Sequence, residues 1–231
     1  AAAFSFACCD DEKPKTVPKL ITADVTDITP TSAAGGGEIT SEGNASITAS
    51  GLCWSSSNIM PTIDDDTTST SVTTGSFTSL MEELEPSTTY HVRAYAVNSA
   101  GTGYGEPVGF TTGNAVPVAT NVAVTGTAEV NKNLTATYTY NDSENDIEGG
   151  STFQWYKADN DGGSGETAIA GATGTSYHLE DVDEFKYIRF GVTPKATSGS
   201  ATGAEVKSAF VGPVAVRTTV SFQYNDNEVT Y

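Results

Sequence analysis

Basic residues are scarce in this sequence. Eleven Lys and Arg stand against 29 Asp and Glu in a chain of 231 residues, which gives a formal net charge of −18 at pH 7. A surface with this charge repels phosphate backbones and anionic lipid headgroups. We therefore expect no nucleic-acid partner.

Cysteine is scarce as well, and the chain contains only Cys8, Cys9 and Cys53. Adjacent cysteines cannot easily cross-link a fold, and a structural zinc site needs four convergent ligands where the sequence offers only two His. The sequence predicts neither a disulfide framework nor a zinc site. Cys53, in the stretch GLCWS, is predicted to be a small buried hydrophobe on a strand.

Long apolar runs and catalytic motifs are missing too. No stretch approaches the roughly 20 residues needed to cross a bilayer, so a membrane connection, if there is one, has to be covalent. No nucleophile lies in a recognisable elbow, no glycine-rich phosphate loop follows a strand, and neither His91 nor His178 has a neighbouring motif. We interpret the protein as not an enzyme and expect no cofactor.

The residues that are plentiful favour strands. Thr, Ser, Gly, Val and Tyr are frequent, Met is rare, and short apolar stretches alternate with polar residues, as in half-buried strands. The length allows two domains of ordinary size, each with its own core. The predicted fold class is all-β, with two tandem antiparallel β-sandwiches.

The first predicted domain covers residues 18–112, and its clearest segment is LEPSTTYHVRAYAVNSAG, residues 84–101. Strict alternation places four residues on one apolar face: Tyr90, Val92, Ala94 and Ala96. Leu84, Pro86 and Tyr90 have the spacing of a tyrosine corner, in which a phenol bonds to upstream backbone. The segment resembles fibronectin type III domains. Their early-strand Trp is absent here, so Trp54 is expected to supply the aromatic core.

The second predicted domain covers residues 115–214. STFQWYKAD and YIRFGV read as strands, with Trp155 as the central core residue and Ile188, Phe190 and Val192 in phase. Tyr187 is a candidate for a second tyrosine corner, with a bulge needed to bring it into phase. The domain resembles bacterial immunoglobulin-like domains of cell-surface proteins, without their cysteine pair.

The amino terminus, AAAFSFACCDDEK, contains an apolar run, two cysteines and then three acidic residues. Residues 1–9 resemble the remnant of a bacterial lipoprotein signal with its lipidation site. Cys8 is the favoured lipidated residue, and Cys9 is the alternative. Asp10, Asp11 and Glu12 resemble the export signal of surface lipoproteins of the Bacteroidetes. The resemblance implies a lipid-anchored protein on the outer face of the outer membrane, whose acyl chain contacts membrane lipid.

Two segments flank the predicted domains. Residues 10–17 are charged, contain Pro14, and are expected to form a tether. Residues 215–231 include VSFQYNDNEVTY, which reads as a strand pair around a turn and is interpreted as the start of a further, truncated module.

Three other features are candidate sites. In YNDSENDIEGG, one loop carries four carboxylates that calcium favours as ligands: Asp142, Glu144, Asp146 and Glu148. Their spacing does not fit an EF-hand, and a solvated acidic loop is the favoured interpretation. Tyr104, in GTGYGE, is a candidate for stacking on a sugar, against ordinary loop packing. Thr67, between Asp66 and Thr68, resembles the Bacteroidetes O-glycosylation site.

The resulting functional hypothesis is a non-catalytic, lipid-anchored surface protein whose sandwiches act as a spacer or an adhesion stalk with a glycan or protein ligand. The alternative is a surface glycan-binding protein for polysaccharide capture, with its binding module beyond Tyr231. A weaker third interpretation is the accessory part of a surface hydrolase.

Overall fold

A computed structural model describes residues 13–217 of the chain. The chain divides between Ala115 and Val116 into two compact units, called unit 1 and unit 2 below. Both are built from antiparallel sheets, so the predicted fold class, tandem β-sandwiches, is confirmed. Within the described range, no helix is long and apolar enough to span a bilayer.

Unit 1 contains two sheets. The three-stranded sheet has the order β1-β2-β5, and the other has the order β4-β3-β6-β7, with β8 also pairing with β6. The strands are β1 (Lys19–Thr22), β2 (Ala33–Ser41), β3 (Ala49–Ser55), β4 (Asp66–Thr67), β5 (Gly75–Met81), β6 (Thr89–Asn98), β7 (Gly101–Tyr104) and β8 (Val108–Thr111).

The core of unit 1 lies between these sheets and follows the predicted alternation. Val92 and Ala94 of β6 are fully buried, and they pair across the sheet with Trp54 and Leu52 of β3. Trp54 belongs to the buried cluster, as expected from the missing early-strand Trp. The tyrosine corner is also present, because the Glu85 N–H donates to Tyr90 Oη at 2.9 Å.

The glycine run of β2 lets the two sheets approach closely. A Cβ at Gly37 would lie 2.4 Å from Ala94 Cβ, and one at Gly35 would lie 2.9 Å from Leu52 Cδ1. Larger residues at these inward positions would force the sheets apart, which a close-packed interior tolerates poorly. These glycines therefore fix the spacing across the core of unit 1.

Unit 2 also contains two sheets, with the orders β13-β10-β9 and β12-β11-β14-β15. The strands are β9 (Val118–Thr125), β10 (Asn133–Asn141), β11 (Thr152–Ala158), β12 (Thr167–Ala168), β13 (Ser176–His178), β14 (Tyr187–Thr193) and β15 (Val206–Lys207), with a short 3₁₀ helix at Asp181–Asp183. Ala215, which the sequence assigned to the next module, bonds to Ala128 and Val130 of this unit.

Trp155 is the centre of the core of unit 2. Its side chain is fully buried, its ring lies 5.2 Å from Phe190 and 5.7 Å from Tyr177 between centroids, and its Nε1–H donates to Gly174 O at 2.8 Å. Ile188 and Val192 are also fully buried, as predicted. The indole therefore packs against both sheets while its polar atom keeps a hydrogen bond.

Tyr187 does not form the second tyrosine corner that its position suggested. Its hydroxyl has no hydrogen-bond partner among residues 13–217, because the alternation of β14 turns Ile188 and Phe190, rather than Tyr187, into the core. The Tyr177 hydroxyl instead donates to Asp183 Oδ2 at 2.7 Å. Asp183 is fully buried and also accepts the Glu180 N–H, which fixes the turn before β14.

The start of the described chain is held against unit 1. Asn98, which is 5% exposed, donates from Nδ2 to Thr16 O at 2.8 Å and to Glu42 O at 2.7 Å, and the Thr16 N–H donates to Gly43 O. The Ala100 N–H donates to Asn98 Oδ1, so this buried amide uses both of its polar atoms. Thr16, within the predicted tether, is therefore fixed to the unit.

Trp155→Ala should destabilise unit 2 by about 3–5 kcal/mol, because the substitution leaves a cavity and orphans the Gly174 carbonyl. Urea unfolding followed by circular dichroism measures the loss. Ile147→Ala is the control, since Ile147 is 75% exposed in the same unit. Equal stability of the two variants would contradict the central role of Trp155.

Candidate functional site

The predicted lipidation and export residues fall in the amino-terminal segment. Cys8, Cys9, Asp10, Asp11 and Glu12 lie outside the described residues. The predicted strand pair after residue 217 lies outside them as well. These predictions therefore stay predictions from the sequence.

Tyr104 lies at the end of β7 and is half-buried, rather than standing free in a loop. The Arg93 guanidinium carbon lies 4.5 Å from the centroid of the Tyr104 ring and covers one of its faces. The Tyr104 hydroxyl accepts the Ile63 N–H at 3.2 Å. Both contacts tie Tyr104 to neighbouring structure, which supports packing as its main role.

The β3–β4 loop, residues 56–65, is held by a network of hydrogen bonds beside Tyr104. Its buried residue Pro61 has a carbonyl that accepts bonds from Arg93 Nη1 at 3.3 Å and from Cys53 Sγ at 3.4 Å. Asp65 Oδ2 accepts the Thr62 N–H at 2.9 Å and a bond from Asn58 Nδ2 at 3.2 Å. The loop therefore has a defined conformation although it is ten residues long.

The surroundings of this loop shift the pKa values of Asp65 and Cys53. Hydrogen bonding, first from the Thr62 backbone and then from Asn58, lowers the pKa of Asp65 despite partial desolvation. Burial raises the pKa of the Cys53 thiol to about 11, although the Arg93 charge opposes the change. Cys53 is fully buried and unoxidised, as the sequence predicted. It is therefore a structural residue with little thiolate.

Thr67 is exposed at the sheet edge in β4, where an added glycan would meet solvent. It borders an open groove of about 700 Å³ that is also lined by Trp54, Asp66, Leu80 and Glu82. Trp54 is only 7% exposed, so its ring offers little area for stacking on a ligand. Glycosylation of Thr67 stays a prediction.

The acidic loop of unit 2 uses its carboxylates to hold its own conformation. Asp142 Oδ1 accepts the N–H groups of Glu144 and Asp146, each at 3.0 Å. Glu148 Oε1 accepts the Tyr138 hydroxyl at 2.6 Å, and burial together with this contact raises the pKa of Tyr138 to about 12. Asp142 and Glu148 therefore help to fix the conformation of the loop.

The calcium prediction gains no support from this geometry. Residues 13–217 contain no group of three or more His, Cys, Asp or Glu side chains arranged to hold a metal ion. Asp146 Oδ1 accepts the Ser198 hydroxyl at 2.6 Å, and Glu148 Oε1 also accepts the Ser151 hydroxyl. Calcium binding by this loop therefore stays a prediction from the sequence.

A charged network covers the outer face of the β12-β11-β14-β15 sheet of unit 2. Glu166 pairs with Arg189 and with Lys207, whose Nζ lies 2.7 Å from Glu166 Oε1. Lys207 Nζ also lies 3.7 Å from the centroid of the Tyr156 ring, and the Arg189 guanidinium carbon lies 4.5 Å from that of Phe210. The network joins β14 and β15 to the chain before β12.

The contacts of this network shift the pKa values of Glu166 and Tyr156. Burial alone would raise the pKa of Glu166, but Lys207 and Arg189 together lower it. Tyr156 donates its hydroxyl to Glu205 Oε1 at 2.5 Å, and burial plus this contact raises the pKa of Tyr156 to about 12. No spacing rule in the sequence could pair Tyr156 with Glu205, which is 49 positions away.

Comparison of the sequence with protein-family models and with curated proteins found no match. The class of the protein therefore rests on its fold: an all-β chain with two tandem β-sandwich units.

Cys53 should resist thiol reagents until unit 1 unfolds. With a pKa of about 11, only about one thiol in a thousand is ionised at pH 8, and the side chain is buried. In a Cys8→Ser, Cys9→Ser chain, reaction with a disulfide reagent should be at least about 100-fold slower in buffer than in urea. Comparable rates would show that the site opens readily.

Glu166→Gln should lower the free energy of unfolding at pH 7 by on the order of 1 kcal/mol, since Arg189 and Lys207 lose their shared partner. The lowered pKa of folded Glu166 means that its contribution is present above about pH 4.3 and is lost as the pH falls through the folded value. Urea titrations at several pH values should show the wild type and the variant converging in acid.

The control for Glu166 is Asp159→Asn, which breaks the more exposed pair between Asp159 and Lys186. This substitution should change stability little at any pH. A gap between Glu166→Gln and the wild type that stays constant down to pH 3 would contradict the ionic origin of the effect.

Proposed function

We propose that the chain is a non-catalytic, lipid-anchored protein of the cell surface whose β-sandwich units act as a spacer or adhesion stalk at the outer membrane. The observation that carries the proposal is the presence of two tandem units, each with its own two sheets and its own buried core. Such units need no partner to fold, which suits a supporting role.

The use of the chemically active side chains supports a structural role. Arg93 packs on Tyr104, and Arg189 and Lys207 pair with Glu166. The buried carboxylate of Asp183 accepts hydrogen bonds from a tyrosine hydroxyl and a backbone N–H. Each of these groups stabilises a turn or covers a sheet, which supports a scaffold role.

The proposed anchor agrees with the path of the first described residues. Thr16 is bonded to Gly43 and Asn98, so unit 1 begins within eight residues of Cys8. Eight residues of fully extended chain reach at most about 30 Å. A lipidated Cys8 would therefore keep unit 1 close to the membrane.

Cys8→Ser should abolish incorporation of a clickable palmitate analogue in the producing bacterium, while Cys53→Ser keeps the label, because only the first thiol lies at the proposed lipidation site. Replacing Asp10, Asp11 and Glu12 together with Ala should preserve the label but protect the protein from protease added to intact cells. Mass spectrometry of the mature amino terminus then identifies the modified cysteine.

A cytosolic, unacylated mature protein would overturn the proposal. Loss of label with Cys9→Ser alone would move the anchor by one position and keep the proposal. Specific, saturable binding to a glycan array that disappears in Tyr104→Ala would contradict the spacer role and favour glycan capture.

A further inference from the structure

Three large apolar side chains of the β3–β4 loop are exposed within five consecutive positions. Ile59 is 67% exposed, Met60 is 45% exposed and Ile63 is 43% exposed. Single exposed apolar residues are common on protein surfaces, but a local group of them is typical of an interaction site. The group lies in unit 1, at the tip of a loop rather than on a sheet face.

The exposure of this group is built into the loop. Pro61 is buried between Met60 and Thr62 and is held through its carbonyl by Arg93 and Cys53. The Met60 N–H donates to Asn58 Oδ1 at 3.0 Å, and the Ile63 N–H donates to Tyr104 Oη. The backbone is therefore fixed on both sides of Pro61, while the neighbouring apolar side chains point away from the core.

A loop that is ordered before it binds loses little conformational freedom on binding. The core of a protein interface is depleted in charged residues, and Met is among the residues enriched there.

The charges beside the group define its partner. Asp64 directly follows Ile63, Asp66 begins β4, and both are exposed. Asp65, between them, accepts hydrogen bonds from Asn58 and Thr62. Carboxylates at the rim disfavour an anionic lipid surface, and the net charge of −18 opposes a second copy of the chain. A protein cleft that is apolar inside and carries Lys or Arg at its edge has the complementary chemistry.

We infer that the β3–β4 loop is a docking element that inserts Ile59, Met60 and Ile63 into an apolar cleft of a partner protein, with Asp64 and Asp66 facing basic residues at the rim of that cleft. This inference goes beyond the proposed function, because it names where a surface stalk would hold another protein. It does not depend on the lipid anchor.

Photocrosslinking in the producing cells tests the inference. A benzophenone amino acid at Ile59, and separately at Ile63, should give a discrete protein adduct after irradiation. The matched control position is Ile147, which is 75% exposed and lies between Asp146 and Glu148, but stands alone. Mass spectrometry of the crosslinked partner peptide should find apolar residues with Lys or Arg nearby.

Two second-site variants make the test specific. Met60→Ser with Ile63→Ser should reduce the adduct from position 59 at least about tenfold, as should Asp64→Lys with Asp66→Lys, because one removes the apolar contacts and the other reverses the rim charges. Both pairs alter exposed side chains, so an unchanged melting curve should show that unit 1 still folds.

Several results would overturn the inference: no adduct from position 59 or 63, equal adducts from position 147, an adduct with a second copy of the chain, or a partner peptide without basic residues. Binding of the purified chain to phosphatidylcholine vesicles that is lost with Met60→Ser and Ile63→Ser would identify a lipid-inserting loop instead. Repeating the crosslinking with Cys8→Ser and Cys9→Ser separates failure of the docking element from failure of the anchor.

Discussion

Packing of one sheet against the other is the interaction on which the rest of this protein depends. Neither described core contains a disulfide, so burial must supply the stability that a cross-link would otherwise add. In unit 2 the centre is Trp155, which packs against Phe190 and Tyr177. In unit 1 the glycines of β2 bring the sheets together instead, so that Leu52 and Ala94 pack closely.

Much of the fold could be predicted because alternation is a local property. Tyr90 and Val92 in unit 1, and Phe190 in unit 2, are buried at the positions that the period of two assigns. The strand β2 gave no comparable signal, because a run of glycines has low strand propensity and its reason lies across the core. Tyr187 was misassigned because its spacing suggested a corner that the phase of β14 does not allow.

The candidate sites were harder to predict because they depend on partners distant in sequence. Tyr104 was recognised as a notable aromatic, but its contact with Arg93 and its bond to Ile63 need the paired strands to be in place. The acidic residues of unit 2 were interpreted as a solvated loop or a calcium site, and their bonds to the Tyr138 and Ser198 hydroxyls could not be predicted from spacing. Composition shows which groups are present and only folding decides what they bond to.

The fastening of Thr16 by Asn98 has a mechanical consequence. Asn98 ends β6, and the strand β8 that leads out of unit 1 pairs with the beginning of β6, so the two chain ends leave this unit from opposite ends of a ten-residue strand. Tension between them would load the hydrogen bonds of β1 and β2 together in shear instead of opening them one at a time. Unit 1 is thus built to resist pulling along its strands.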